Sequence, residues 1–317
     1  MIKAFIWIDE SYKPVPVEYD QLATIDRNQL IWLDLFSPTP EEGRAVEEVL
    51  GIELPTRQES EEIEFSSRYW EDDAGIEINT YFLVRQDDKA HNETISFIVR
   101  DKVLVTIRFS DLRIFTEFSR KLRLNSSAFH NGLDVLSGIL AMRVDMDADT
   151  VELLSKEIAG IGRRENGSFR DPGMFLELVT SYEDIHITLR ENLTDKQRIL
   201  SSLLKSSRVP ENVKKEFTMM MKDVNSLVSS ANFNFERLDY LQSIFLNFMS
   251  VEQNKVIKIF TVMSVIFLPP TMIASIYGMN FRMIPELEWE YGYPVALVLI
   301  IASAVLPLYI FKKKGWL

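Results

Sequence analysis

Residues 258–280 (KIFTVMSVIFLPPTMIASIYGMN) carry a single charge, Lys258, at their first position and none after it. A helix needs about 20 apolar residues to cross the hydrocarbon core of a bilayer, and residues 259–277 supply that length. A second apolar run, residues 295–311, follows a short acidic and aromatic loop and closes at Lys312-Lys313-Lys314. It is slightly shorter, which a thin bilayer accommodates. Neither run has a polar face wide enough for solvent, and this disfavours the alternative of a buried hairpin in a soluble core. The sequence therefore predicts two membrane crossings at one end of the chain, with everything before them as a soluble body.

The charge distribution agrees. Charged residues are 26% of the 317-residue chain, but they are dense before about residue 258 and nearly absent from the two runs. The formal net charge is −12 and the isoelectric point about 4.9. Nucleic acid is excluded as a partner, since phosphate binding needs clustered Lys and Arg. An acidic surface concentrates cations, although it also serves simple solubility. There is no cysteine, so disulfides, Cys-type zinc sites and thiol chemistry are absent. His91, His130 and His186 have no zinc spacing and read as structural. No P-loop, GxSxG or HExxH motif occurs, so neither an enzyme nor a cofactor is expected. The N-terminus, MIKAFIWIDE, is charged too early for a signal peptide, so insertion is expected to rely on the terminal helices. Lys255 and Lys258 precede the first run and Lys312, Lys313 and Lys314 follow the second. The loop between carries Glu286, Glu288 and Glu290 against Arg282. The positive-inside bias places both outer ends in the cytoplasm, and Trp289, Tyr291, Tyr293 and Trp316 suit the interfacial belts.

Residues up to about Arg108 read as strands mixed with short helices. Residues 2–8 and 30–35 are rich in Ile, Trp and Leu, as buried strands are. Thr39-Pro40-Glu41-Glu42 is a helix start, with Thr39 as N-cap, Pro40 at the first helical position and Glu42 bonding back; that helix ends near Gly51. A short helix is expected from about Pro55. Residues 68–70, 76–84, 94–100 and 103–109 read as an antiparallel meander, giving αβα layering. From Asp111 the period becomes 3.6, with helices at 133–161 and 172–206. In the third helical segment Val213, Phe217, Met220, Val224, Leu227 and Ala231 alternate steps of four and three. After an apparent slip near residues 232–234 the seam resumes at Phe235, Leu238, Leu241, Phe245 and Phe248. So long a pattern predicts a coiled-coil-like stalk; the alternative is a long helix within a single bundle. Continued into the membrane, about 65 residues make a helix of about 100 Å.

The first crossing has a distinct face. Asn254, Ile257, Thr261, Ser264, Leu268, Thr271, Ser275 and Gly278 recur at steps of three and four and stack on one side. In a bilayer such a stripe means helix contact or a water-filled path. Pro269-Pro270 frees backbone carbonyls that neighbours or water must satisfy. Two helices cannot enclose a pathway, so either reading requires several chains about a shared axis.

Tyr277-Gly278-Met279-Asn280 at the exit of this helix, the following Met283-Ile284-Pro285-Glu286-Leu287-Glu288-Trp289, then Tyr291-Gly292-Tyr293-Pro294 and the basic tail resemble the CorA family of magnesium and cobalt transporters. The loop has Ile284 where the family often has Met. The stretch from Glu252-Gln253-Asn254 through Leu268-Pro269-Pro270-Thr271, and residues 57–73 upstream, extend the resemblance over nearly the whole chain. It implies a funnel-shaped homopentamer in the cell inner (plasma) membrane. An α+β cytoplasmic domain of αβα layers (1–130) would lead to a long helical region (131–257). A pore-lining transmembrane helix (258–278), an external loop (279–294), a second transmembrane helix (295–311) and a cytoplasmic tail (312–317) would follow. It further implies that Tyr277, Gly278, Met279 and Asn280 form the selectivity filter. Asn254, Ile257, Phe260, Thr261, Ser264, Leu268, Thr271 and Ser275 would line the pore, and Glu286, Glu288 and Glu290 would gather cations outside. The expected activity is potential-driven uptake of Mg²⁺, with Co²⁺ and Ni²⁺ also passing. Internal Mg²⁺ would inhibit it through Glu61, Glu62 and Asp223 between subunits. The alternatives are a zinc transporter of the same superfamily and a non-conducting membrane-anchored coiled-coil adaptor.

Overall fold

The computed structural model of the chain describes residues 1–62, 68–86, 89–163, 172–280 and 284–315, without the side chains of residues 61, 62, 162, 163 and 287. It divides into two compact units, Met1–Leu241 and Gln242–Leu317.

The first unit is built on a seven-stranded sheet of order β2-β1-β3-β7-β6-β5-β4. The strands are β1 (Ile2–Ile8), β2 (Ser11–Val17), β3 (Leu30–Phe36), β4 (Tyr69–Glu71), β5 (Gly75–Gln86), β6 (Lys89–Arg100) and β7 (Val103–Arg108). All neighbouring pairs are antiparallel except β3 and β7, which run parallel. The sequence-derived meander accounts for β4 to β7. The parallel join and β2 were not foreseen. β2 carries Pro14 and Pro16, which ordinarily argue against a strand. It is tolerated because it is an edge strand, paired only to β1.

Residue alternation divides the core between the faces of the sheet. Leu33, Leu35, Val105 and Ile107 pack on one side with Val46 and Leu50 of α1 (Pro40–Leu50). Trp32, Phe82, Phe97 and Leu104 pack on the other with residues of four later helices. These are α3 (Arg113–Leu124), α4 (Gly132–Arg163), α5 (Pro172–Lys205) and α6 (Glu211–Tyr277); a short α2 (Arg57–Glu62) precedes β4. The αβα layering expected from the sequence is thus present. The α1 start forms the predicted capping box: Thr39 Oγ1 accepts from Glu42 N at 3.3 Å, and Glu42 Oε2 accepts from Thr39 N at 2.9 Å. The helix closes at Gly51, whose φ of 64° lies in the left-handed region where a side chain is disfavoured.

The seam of α6 is buried through Val213, Phe217, Met220, Val224, Ala231, Leu238 and Leu241. The apparent slip does not exist. Asn234 occupies the seam position between Ala231 and Leu238, is 2% exposed, and donates to Ser155 Oγ of α4 at 2.6 Å. The 4-3 rhythm continues unbroken with a polar residue in it. Phe235 is only half buried and Phe248 is 45% exposed, so neither belongs to the seam. The N-terminal part of α6 therefore packs within its own chain against α4 and α5, where Gln197 Nε2 reaches Asn225 Oδ1 at 2.6 Å. The long helix expected from the sequence is present, and as far as Leu241 it also packs against its own chain.

The second unit holds the rest of α6, a 3₁₀ turn at Pro285–Leu287 and α7 (Gly292–Lys313). α6 is continuous through Pro269 and Pro270 over 67 residues.

Candidate ion pathway

α6 and α7 are both long and apolar enough to cross a membrane, and the most apolar 18-residue window of α6 has none of its residues buried within the chain. Exposure of this kind is tolerable in lipid or against further protein, not in water.

The exposure of α6 is two-sided. Val262, Val265, Ile266, Pro269, Pro270, Ile273 and Tyr277 are half-buried. Val262 shares a cavity with Phe311 of α7, so this is the side nearer α7. Asn254, Ile257, Thr261, Ser264, Leu268, Thr271, Ser275 and Gly278 are all exposed, as is Phe260. At about 100° per residue the two sets centre on opposite sides of the helix. Within this unit the small and hydroxylated stripe thus centres away from α7, although Thr261 also lines that cavity. The carbonyls of Val265 and Ile266, which Pro269 and Pro270 cannot serve, belong to the covered side.

Three of the hydroxyls on the stripe are oriented by their own helix. Thr261 Oγ1 donates to the Ile257 carbonyl at 2.8 Å, Ser264 Oγ to that of Phe260 at 2.9 Å, and Thr271 Oγ1 to that of Phe267 at 2.6 Å. Each hydroxyl has one proton and two lone pairs. With the proton used internally, what remains to present outward is an acceptor. Asn254 lies exposed at one end of the stripe and Asn280 at the other.

At the far end α6 closes at Tyr277, where Gly278 N donates to the Ala274 carbonyl at 2.9 Å and Met279 N to that of Ile276 at 3.3 Å. Residues 281–283, including Arg282, lie outside the described residues. Glu286, Glu288 and Glu290 are exposed beyond them. The loop is held to α7 by a contact the sequence did not reveal. Gly292 is buried, and a Cβ there would lie 2.1 Å from the Glu286 carbonyl oxygen. Its N–H donates to the Trp289 carbonyl at 2.9 Å, and the Trp289 and Tyr291 rings meet edge to face at 6.2 Å. The signal available was a lone glycine between two tyrosines at a helix start.

Of the residues named for regulation, Asp223 alone has a described side chain. Glu61 and Glu62 end α2, but their side chains lie outside the described residues. Asp223 is exposed on α6 and lines an open cavity of about 600 Å³ with His130, Asp134 and Glu216. Among the described residues, no cluster of three His, Asp or Glu side chains is placed to hold a metal within one chain. Of the histidines, His186 is buried. His91 Nε2 lies 3.2 Å from Glu93, and His130 Nδ1 lies 3.6 Å from Asp134.

An αβα body whose last helix continues into an apolar hairpin, with an acceptor-bearing face closing on a Gly-Met-Asn turn, defines a class: a two-helix membrane transport protein with a large soluble part. The model of the CorA-like Mg²⁺ transporter protein family matches residues 27–313. The chain belongs to that family. It is 42% identical over 295 residues to the magnesium transport protein CorA of Wolinella succinogenes, covering 92% of each chain. It is 37% identical over 302 residues to that of Campylobacter jejuni, covering 91% of each. The solved structure of the complete CorA magnesium transporter from Methanocaldococcus jannaschii superposes with a TM-score of 0.81 at 17% identity, over 100% of this chain and 99% of that one.

Proposed function

We propose that this protein lets Mg²⁺ enter the cell through a pore that several copies, five by family resemblance, build around the stripe of α6. The observation that carries the reading is that the stripe centres away from the α7 side, with the hydroxyl protons of Thr261, Ser264 and Thr271 already used. A ring of such faces offers oxygen acceptors to a central axis and puts α7 outside. Mg²⁺ is small and parts reluctantly with its water. Its hydration shell presents hydrogen-bond donors outward. Asn280 amide oxygens and nearby backbone carbonyls accept from that shell, with Tyr277, Gly278 and Met279 setting the turn. They select a hydrated octahedral ion by size and acceptor geometry, and release it more readily than a ring of carboxylates would. Glu286, Glu288 and Glu290 raise the local cation concentration. Thr261, Ser264, Thr271 and Ser275 continue the acceptor lining. Ile257, Phe260 and Leu268 narrow it, and Asn254 receives the ion at the inner end. An inside-negative potential supplies roughly 4–5 kcal/mol per 100 mV for a divalent ion, so no energy-coupling site is required. Co²⁺ and Ni²⁺, also octahedral when hydrated, pass by the same geometry. Glu61, Glu62 and Asp223, contributed across subunit boundaries, bind internal Mg²⁺ and close the pore.

The test is Mg²⁺ entry into liposomes carrying an internal Mg²⁺-sensitive dye under an inside-negative potential. Asn280→Ala is expected to reduce flux by at least about 100-fold while the size of the assembly is unchanged, since only transition of the ion is touched. Flux equal to that of the unmodified protein would remove Asn280 from the filter. Zn²⁺ entry without Mg²⁺ entry would reassign the substrate.

A further inference from the structure

α2 is six residues long. A helix that short does not hold itself in water, so contacts beyond it decide where it sits. At its start Thr56 Oγ1 accepts from Glu59 N at 3.3 Å, and Glu59 Oε2 accepts from Thr56 N at 2.8 Å. This capping box orders the first turn without fixing its place on the sheet. Ser60 reaches the sheet. It is 1% exposed, and its Oγ lies 3.4 Å from Ser96 Oγ of β6, also 1% exposed. Ser96 stands opposite Asn79 of β5 in the strand register and gives its one hydroxyl proton to Asn79 Oδ1. The proton between the two serines therefore comes from Ser60. The Asn79 amide is turned to match, with its Nδ2 towards Glu77 Oε1 at 3.5 Å. Asn79 N also donates to the Arg68 carbonyl at 2.8 Å. One buried asparagine thus reaches the chain on both sides of residues 63–67, Ser60 through Ser96 and Arg68 directly.

We propose that Ser60 is a positioning residue for inhibition by internal Mg²⁺: through Ser96 and Asn79 it holds the end of α2, and with it Glu61 and Glu62, at one place on the sheet. The inference rests on the proposed role of these two carboxylates, with Asp223, in closing the pore. Glu61 and Glu62 follow Ser60 directly and are the last two residues of α2. A cation that bridges subunits binds more tightly when its ligands are held in place before it arrives, because ordering them on binding costs affinity. Buried hydroxyls and amides are unfavourable unless paired, and these three pair with one another. The serine contact is long at 3.4 Å, but burial keeps water from competing for it. The network therefore ties helix to sheet in a single arrangement.

The test is the internal Mg²⁺ concentration that halves entry in the liposome dye assay, with flux at low internal Mg²⁺ measured beside it. Ser60→Ala is expected to raise that concentration by about 3-fold or more, the scale of one lost hydrogen bond, with flux at low internal Mg²⁺ unchanged. Ser96→Ala breaks the same tie from the sheet side, should do likewise, and decides the matter if Ser60→Ala does not assemble. The double variant should shift no further than the larger single one, because the two residues act as a unit. Thr39→Ala removes the cap of α1, loosens the same unit by a similar amount and should leave inhibition where it was. Unshifted inhibition in the single variants overturns the inference. So do additive shifts in the double variant, or an equal shift in Thr39→Ala, which would make the effect a general loosening. In each of these cases a shift in Glu61→Ala/Glu62→Ala/Asp223→Ala leaves the sensor itself standing. No shift in that triple variant overturns the sensor and the part of Ser60 in it together.

Discussion

Lys196 sits 2% exposed in α5, its Nζ 3.0 Å from Asp147 Oδ2 and 3.1 Å from the Tyr81 carbonyl, and it also donates to Asn192 Oδ1. Arg143 donates to the other oxygen of Asp147 at 2.9 Å, and Asp195 accepts from Thr80 Oγ1 at 2.5 Å and Tyr81 N at 3.0 Å. Burial pulls the Lys196 ammonium below its ordinary range, against the attraction of Asp147. Deleting one member leaves another charge buried and unpaired, which typically costs about 3–5 kcal/mol. Lys196→Met is therefore expected to lower the thermal midpoint of the full-length protein sharply, and a melt within a degree of the original would refute this. His186 is simpler. It is 2% exposed with neither ring nitrogen hydrogen-bonded, and burial pushes its pKa down to about 4. The folded state holds it neutral while the unfolded chain takes up the proton near pH 6.5. Its contribution is thus full above pH 6.5 and is lost as pH falls towards 4, up to about 3 kcal/mol. Melts of His186→Phe between pH 7 and 4 should show a shallower acid loss than the original chain; an identical slope counts against this assignment.

At the scale of elements, two places show how a single residue decides a helix or loop. Asn234 looked from its neighbours like an interruption of the α6 seam, because an amide does not register in a hydrophobic pattern. Its burial becomes sensible only once Ser155 stands opposite it. Gly292 joins the loop to α7 because nothing larger than hydrogen fits beneath the Glu286 carbonyl. Gly292→Ala must push that carbonyl away and with it the glutamates of the loop, which the proposed function places at the pore mouth. We expect flux to fall severalfold with assembly and thermal stability of the soluble part nearly unchanged, as read by the liposome assay and size-exclusion chromatography. Normal flux would show that the clasp is dispensable. The capping box of α1 and the two apolar crossings, by contrast, were legible beforehand, since capping and bilayer spanning depend on residues adjacent in sequence.

For the whole molecule, the acceptor face of α6 lies exposed in one chain, and Asp223 stands on the surface, with no metal-holding cluster of three His, Asp or Glu among the described residues. In the proposed ring, neighbouring copies would complete the pathway and the regulatory site. If so, changing Glu61, Glu62 and Asp223 together to Ala should leave flux at low internal Mg²⁺ intact. It should also shift inhibition to at least about 10-fold higher internal Mg²⁺, as loss of carboxylate ligands weakens a hard cation site. Unaltered inhibition in the dye assay would place the sensor elsewhere.

By itself the sequence determined the apolar hairpin, its charge asymmetry, the capped helices and the spacing of the acceptor stripe, because each follows from side chains a few positions apart. Only the tertiary structure decided that β3 pairs parallel with β7, that the edge strand accepts two prolines, that α6 is bundled with α4 and α5 as far as Leu241, and which side of α6 turns from α7. Those outcomes depend on partners tens of residues away along the chain, and the free energy of such a contact exists only when both sides of it are in place.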